Sequence, residues 1–286
     1  MSSATHRGMT SLRKSIGFEG RTVTVDGVNL SVTDHGGPGE PILCLHAAGH
    51  GSRDFEPLVR RAARQRRLVT VDWPAHGGSG LDRSSANATR YAQLLRGLLD
   101  ALSLESVVLL GNSVGGAAAL EVAAREPSRV RALVLVDSGG LARPNAPVRL
   151  FTRMMAWVYG RPNAWWFPWF FSIQYRILLP GPEAAEQRAR IVAAGREHAG
   201  VLAELWRSFG ESPRDLRVDI SRLQCPVWLA WARHDPYNHR WLIGSALRRF
   251  HANLTLYRGG HAPFLEQPDA FWQDLDRFLG KRSDSG

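Results

Sequence analysis

Four short, nearly all-apolar runs limit the fold of this chain more than any other feature: "PILCLH" (41–46), "RLVTVD" (67–72), "SVVLLG" (106–111) and "RALVLVD" (131–137). They are rich in β-branched residues and read as strands covered on both faces, as in a parallel sheet. Helical patterns separate them, at about 53–65, 88–102 and 114–125. Strand–helix alternation of this kind implies right-handed βαβ units and an α/β sheet with helices on both sides. Ahead of it, "RTVTVDGVNLSVTDHG" alternates apolar and polar residues around Asp26-Gly27, which predicts a hairpin with a tight turn.

The alternation stops near residue 140 and resumes at "PVWLAWA" (226–232), a helix over 239–249, "NLTLYRG" (253–259) and a helix over 268–279. The interval holds no strand-like run. Ten of the 25 residues from 151 to 175 are Phe, Trp or Tyr, and "EAAEQRARIVAAGREHAGVLAELWRSF" reads as amphipathic helix. The expected organisation is therefore a core of 21–139 and 219–280, a helical excursion over 140–218, and tails at 1–20 and 281–286. Arg161, Pro162, Pro168 and Arg176 interrupt the aromatic stretch, so it cannot span a membrane. Contact with a membrane surface through its tryptophans stays open.

Net charge is +10, and Lys14 and Lys281 are the only lysines. The arginines are dispersed, and the densest group (Arg60, Arg61, Arg64, Arg66, Arg67) reads as the solvent face and end of one helix. No nucleic-acid partner is expected. Cys44 and Cys225 are isolated beside apolar runs, which suggests reduced thiols, and the N-terminus lacks the apolar core of a secretory signal; the cytoplasm is the expected compartment. "GGPGEP" lacks the ending of a phosphate loop, and His234 and His239 have no partner at metal-ligand spacing. No cofactor and no metal are expected, and oligomeric state is not readable.

Gly111-Asn112-Ser113-Val114-Gly115 fits G-x-S-x-G between a buried strand and a helix. A serine hydroxyl becomes a nucleophile when it projects toward both a base and a substrate carbonyl. A sharp strand-to-helix turn achieves that, at the cost of a strained serine backbone flanked by residues small enough to pass one another. The helix N-terminus then points its unpaired N–H groups at the reacting centre. His261, in the glycine-marked "YRGGHAPFLEQP", and Asp235, in "LAWARHDPYNHR", each follow a strand, and ligands of open α/β sheets gather at such strand ends.

"LHAAG", "DWPAHGGSG", "GNSVGG" and "GGHAPFLEQPDAFWQDLDRFL" together resemble the α/β-hydrolase superfamily over about residues 20–280. The resemblance implies a mostly parallel eight-stranded sheet with helices on both faces and an inserted helical cap. It implies a triad of Ser113, Asp235 and His261, with backbone N–H groups of Ala48 and Val114 forming the oxyanion hole. It further implies acyl transfer in two halves, with His261 as base and Asp235 orienting the imidazole. The family's usual His-Gly pair is His46-Ala47 here, where a positive φ would strain the alanine; Ala232 likewise stands at a position that is commonly glycine. Asp137 rivals Asp235 as the acid, with a structural role expected. Asp72 and His76 read as turn-stabilising, His46 as shaping the oxyanion loop, and Glu121 as solvated or capping.

The cap aromatics read mostly as core between cap and sheet, the rest as an apolar acyl or aryl pocket drawn from Trp157, Trp165, Trp166, Trp169 and Phe170. The expected partner is a small hydrophobic ester, thioester or lactone. Two alternatives stand beside it: a C–C bond hydrolase of ring-fission diketo acids, since "GNSxGG" occurs in such relatives, and a non-catalytic receptor that keeps the fold.

Overall fold

Strands β1 (Glu19–Val25) and β2 (Val28–Asp34) pair antiparallel across Asp26 and Gly27. Both turn residues take positive φ, 48° and 76°, as a two-residue hairpin matched to strand twist requires. The computed structural model describes residues 19–62, 65–141, 143–211, 222–238 and 252–280. The helix expected over 239–249 lies outside the described residues, as do 1–18 of the N-terminal tail and the C-terminal tail, 281–286.

Beyond the hairpin come β3 (Ile42–Leu45), α1 (Glu56–Ala62), β4 (Leu68–Val71), α2 (Ala88–Ala101), β5 (Val107–Asn112), α3 (Val114–Arg125) and β6 (Val130–Val136). Helices α4 (Ala146–Tyr159), α5 (Phe167–Leu178), α6 (Ala185–Ala193) and α7 (Gly195–Glu211) precede β7 (Val227–Ala232), β8 (Asn253–Tyr257) and α8 (Pro268–Gly280). The eight strands form one sheet in the order β1-β2-β4-β3-β5-β6-β7-β8, and β2 alone runs against the rest.

Strand period divides the apolar residues between two cores. Leu43, Leu45, Leu133 and Leu135 face a core filled by Leu94, Leu98, Leu120 and Val122 of α2 and α3. Ile42, Cys44, Val134 and Val136 face the opposite one, shared with Phe271 of α8 and with Phe171 and Trp206 of the inserted helices. The arginine group meets the C-terminal helix, because Arg61 pairs with Asp269 (2.5 Å) and Arg66 with Asp276 (2.8 Å). Glu121 is a correction: it is buried, accepts a hydrogen bond from Thr89 (3.1 Å) and pairs with Arg125, so it joins α2 to α3.

The stretch read as one amphipathic helix breaks at Ala194 into α6 and α7. Gly195 opens α7 directly against the Phe171 ring, where a Cβ would come within 2.6 Å of ring carbon. The inserted helices are tied to the sheet side by polar links. Buried Asp54 binds both His50 and Arg190 of α6, and the Tyr175 hydroxyl donates to the Ala48 carbonyl (3.3 Å). Glu204 of α7 accepts from the Ala86 N–H (2.8 Å).

Phe271 is fully buried, with ring centroids 5.2 Å from Trp228, 5.8 Å from Tyr257 and 5.9 Å from Phe264. Phe271→Ala therefore lowers unfolding free energy by about 3–5 kcal/mol, measured by urea denaturation, because the surrounding rings cannot close the void.

Candidate active site

Ser113 sits between β5 and α3 with φ 54° and ψ −115°, a conformation that few non-glycine residues adopt. The strain is held from three sides. Its N–H donates to the Val136 carbonyl (3.0 Å), while its own carbonyl accepts from Ala117 (3.1 Å) and Gly139 (3.0 Å). A Cβ on Gly111 would lie 2.5 Å from the Gly115 carbonyl oxygen. One on Gly115 would lie 2.8 Å from that of His46, and one on Gly116 2.8 Å from that of Gly111. Real side chains do not fit at these distances, so the glycines are required by backbone-to-backbone contact. The same contact seats the N-terminus of α3, and thus Val114, against the loop that carries Ala48.

Asp235 and His261 come together from the ends of β7 and β8. The Nδ1–H of His261 donates to Asp235 Oδ2 at 2.8 Å, which leaves Nε2 as the imidazole lone pair. The other carboxylate oxygen, Oδ1, accepts the N–H groups of Tyr237 (2.7 Å) and Asn238 (3.0 Å). Burial alone would raise this carboxyl, but the charge and hydrogen bond of His261, together with those two N–H donors, hold it below the usual carboxylate range. The His261 loop is organised by Glu266, which accepts the N–H of Gly260 (2.9 Å) and of His261 (3.3 Å). Burial pushes the Glu266 carboxyl above its ordinary range against the pull of those donors. Asn112, next to Ser113, donates from Nδ2 to the carbonyls of Val136 (3.0 Å) and His261 (3.1 Å). It thereby ties the Ser113 turn to the His261 loop.

Asp137, the rival acid, is fully buried at the end of β6 with φ 40°. Its Oδ1 accepts the Ala232 N–H (2.9 Å), its backbone carbonyl accepts from Asn238 Nδ2 (2.8 Å), and its side chain lies beside Asp235. Burial first, then the negative charge of Asp235, drives its carboxyl well above the ordinary range. Of the pair, Asp235, which faces His261, is therefore the member that gives up its proton more readily.

The "HAAG" loop is shaped by two neutral histidines. His46 donates from Nδ1 to the Ala47 carbonyl (2.7 Å) and accepts the Trp73 N–H at Nε2 (2.9 Å). Burial lowers its pKa to about 4. His76 donates to the Pro74 carbonyl (2.9 Å) and accepts the Gly49 N–H (3.0 Å); burial depresses it well below the ordinary imidazole value. Asp72 accepts from the N–H groups of Ser52 (2.7 Å) and Gly78 (3.2 Å), a turn-holding position. The feared strain at Ala47 is absent: the positive φ in this loop falls on Gly49, at 76°. Among the described residues, no cluster of His, Cys, Asp and Glu is arranged to hold a metal ion.

Of the aromatic residues expected to line a pocket, Trp165, Trp169 and Trp157 are 90%, 69% and 54% exposed. That exposure puts them on the outside of the inserted helices, because spacing alone does not say which face of a doubly apolar helix turns inward. Trp166 and Phe170 are half-buried against the core. The aromatics near the dyad come instead from elsewhere. Tyr237 packs edge-on to His261 (6.1 Å between centroids) and against Trp206 (5.1 Å), and its hydroxyl accepts from Gln174 (2.6 Å). Glu266 and Asn112 escape sequence reasoning, although an acid closing a glycine-marked turn and an amide beside the serine are both visible signals.

Residues 42–274 match the sequence profile of the alpha/beta hydrolase family. A 2-hydroxy-6-oxononadienedioate/2-hydroxy-6-oxononatrienedioate hydrolase of Pseudomonas putida is 30% identical over 228 residues, 73% of this chain and 76% of that protein. The fold is shared with the crystal structure of a membrane phospholipase A, with TM-score 0.81, 21% identity, and coverage of 98% of this chain and 91% of that one. It is shared also with a thermophilic esterase of Thermogutta terrifontis, with TM-score 0.78, 23% identity, and coverage of 92% and 98%.

The two carboxyls separate experimentally. Asp137→Asn keeps a donor toward Asp235 and an acceptor for the Ala232 N–H, so turnover stays within about tenfold of wild type; Asp235→Asn, which spoils the imidazole tautomer, lowers kcat about 10⁴-fold. The Asp137 carboxyl holds a proton more tightly in the folded chain than in the unfolded one, so it makes stability fall as pH rises above the ordinary carboxylate range. Asp137→Asn removes that slope, as thermal melts across a pH series will register.

Proposed function

The chain belongs to the alpha/beta hydrolase family, and on that footing we propose that it is a serine hydrolase cleaving an ester, thioester or lactone of a hydrophobic acyl or aryl group. The observation that carries this reading is the Asp235–His261 hydrogen bond (2.8 Å) held beside the strained Ser113 turn by Asn112. In the proposed reaction Nε2 of His261 takes the Ser113 hydroxyl proton as the oxygen attacks the carbonyl carbon. The oxyanion is held by the N–H groups of Val114 and Ala48, donors of a type worth about 2.7–4 kcal/mol each. The leaving alcohol, thiol or ring oxygen departs with the proton carried by His261, leaving the acyl group on Ser113. Water, deprotonated by the same imidazole, then releases the acid and restores the serine. Asp235 stays ionised and stabilises the imidazolium.

The surroundings favour an apolar substrate. Tyr237, Trp206, Phe151 and Tyr175 are neutral aromatics grouped on the side of the dyad that the inserted helices cover. The second reading, C–C bond hydrolysis of a diketo acid, is favoured by the 30% identity to the Pseudomonas putida hydrolase. Its dianionic substrate calls for cations at the binding site, whereas Arg190 of α6 is taken up by Asp54.

Fluorophosphonate labelling of the purified protein, with p-nitrophenyl esters of graded chain length, tests the proposal. Wild type labels on Ser113 and turns over medium-chain esters, and Ser113→Ala abolishes labelling and lowers kcat roughly 10⁴-fold or more. Labelling without ester turnover, joined to cleavage of a vinylogous diketo acid, establishes the second reading instead. An intact fold that never labels overturns both and leaves a receptor.

A further inference from the structure

Helix α5 is apolar on both faces. Its inner face is the buried Phe167, Phe171, Tyr175 and Leu178. Its outer face carries Trp165 (at the helix start), Trp169, Ile173 and Ile177, one every fourth residue, all exposed. Helix α4 repeats the arrangement with Leu150, Met154 and Trp157, exposed at 72%, 50% and 54%. Spacings of three and four put each set on one side of its helix. The two stripes converge at the α4–α5 turn, where the Trp157 and Trp166 rings stack at 6.3 Å. Surface apolar residues are ordinarily scattered, and exposed apolar stripes of this kind mark an interaction site.

The charge carried by α4, α5 and the turn between them is one-sided. Between Asp137 and Glu183 the chain has no acidic residue and five arginines. Arg149, Arg153, Arg161 and Arg176 are exposed within or beside the stripes. The Arg161 guanidinium lies 3.8 Å over the Trp157 ring, so cation and indole are presented together. A second copy of this chain meeting these stripes about a two-fold axis would bring arginines against arginines, with no acid on α4 or α5 to neutralise them. An anionic lipid surface supplies both missing parts, headgroup phosphates for the arginines and an acyl boundary for tryptophan and isoleucine.

We propose that the outer faces of α4 and α5 form a docking surface for an anionic lipid bilayer. The helices lie in the interface and do not cross it; among the described residues, no helix is long and apolar enough to span a membrane. Tryptophan suits this position, since its ring is apolar and its indole N–H remains hydrated. The surface stands independently of the reaction proposed above, because it rests on exposure and charge alone.

Co-sedimentation of the full chain with vesicles of phosphatidylglycerol and phosphatidylcholine, against pure phosphatidylcholine, tests it. The protein binds the anionic vesicles, binding weakens as salt is raised, and brominated phosphatidylglycerol quenches its tryptophan fluorescence. Trp165→Ser/Trp169→Ser and, separately, Arg149→Gln/Arg153→Gln each reduce partitioning by about tenfold or more, with unchanged circular dichroism and melting temperature. Failure to bind, equal binding to neutral vesicles, or binding indifferent to both pairs of substitutions overturns the proposal. So does a concentration-dependent dimer in sedimentation velocity that Trp165→Ser/Trp169→Ser dissociates, which would make the patch a self-interface.

Discussion

The structure depends on one steric constraint, the passage of β5, α3 and β3 so close together that no Cβ fits at Gly111, Gly115 or Gly116. This crossing forces Ser113 into its positive-φ conformation, and three backbone hydrogen bonds keep it there. It also sets how near the first turn of α3 stands to the His46–Gly49 loop. Orphan N–H groups at a helix N-terminus are common. What this packing adds is their alignment with a second loop whose own shape is fixed by His46, His76 and Trp73. A larger residue at Gly115 would push α3 away from the His46 loop, and one at Gly111 or Gly116 would push α3 away from β5.

Around that crossing the buried titratable groups are assigned charge by their hydrogen bonds. His46 and His76 each donate one ring nitrogen to a carbonyl and accept a backbone N–H at the other, so neither can gain a proton without losing a bond. Asp137, buried beside Asp235, has its carboxyl pushed up, while Asp235, surrounded by donors, is held below the usual carboxylate range. The result is an ionised carboxylate at Nδ1 of His261 with the nearest neighbours neutral, the condition under which it orients and stabilises an imidazolium most strongly. Glu266 serves the same end through the backbone, since its carboxylate gathers the N–H groups that set the His261 loop.

Much of the core could be read from the chain. Buried strands announce themselves through apolar runs such as "SVVLLG", and β5 begins and ends within a residue of that run. The Asp26-Gly27 turn was legible because its conformation demands those residue types. The meeting of Asp235 with His261 was implied by the family resemblance, and strand-end placement in an α/β sheet allowed it. The inserted helices resisted reading for a physical reason: period tells that a helix has an apolar face, but not which of two apolar faces is covered. Trp169 and Phe171 look alike in sequence and differ entirely in burial. The break at Ala194 was hidden too, because the close contact of Gly195 with Phe171 is a tertiary one. Asp137 was expected to be structural, but the rise of its carboxyl was hidden, since that follows from burial and the proximity of Asp235.

That ambiguity of faces bears on how the proposed activities connect. An α-helix is about 10 Å thick with its side chains, and α5 presents Tyr175 to the Ala48 carbonyl on one side and Ile173 and Ile177 to solvent on the other. The distance between a docked lipid surface and the oxyanion loop is then about one helix diameter. A hydrophobic ester dissolved in lipid would pay little desolvation on leaving it for the proposed site beside Tyr237 and Trp206, whereas the same molecule drawn from water would be scarce. The cost falls on the helix, whose outer tryptophans face water whenever the protein is free. Neither stability nor catalysis requires Trp165 at 90% exposure; the lipid surface proposed above would account for it.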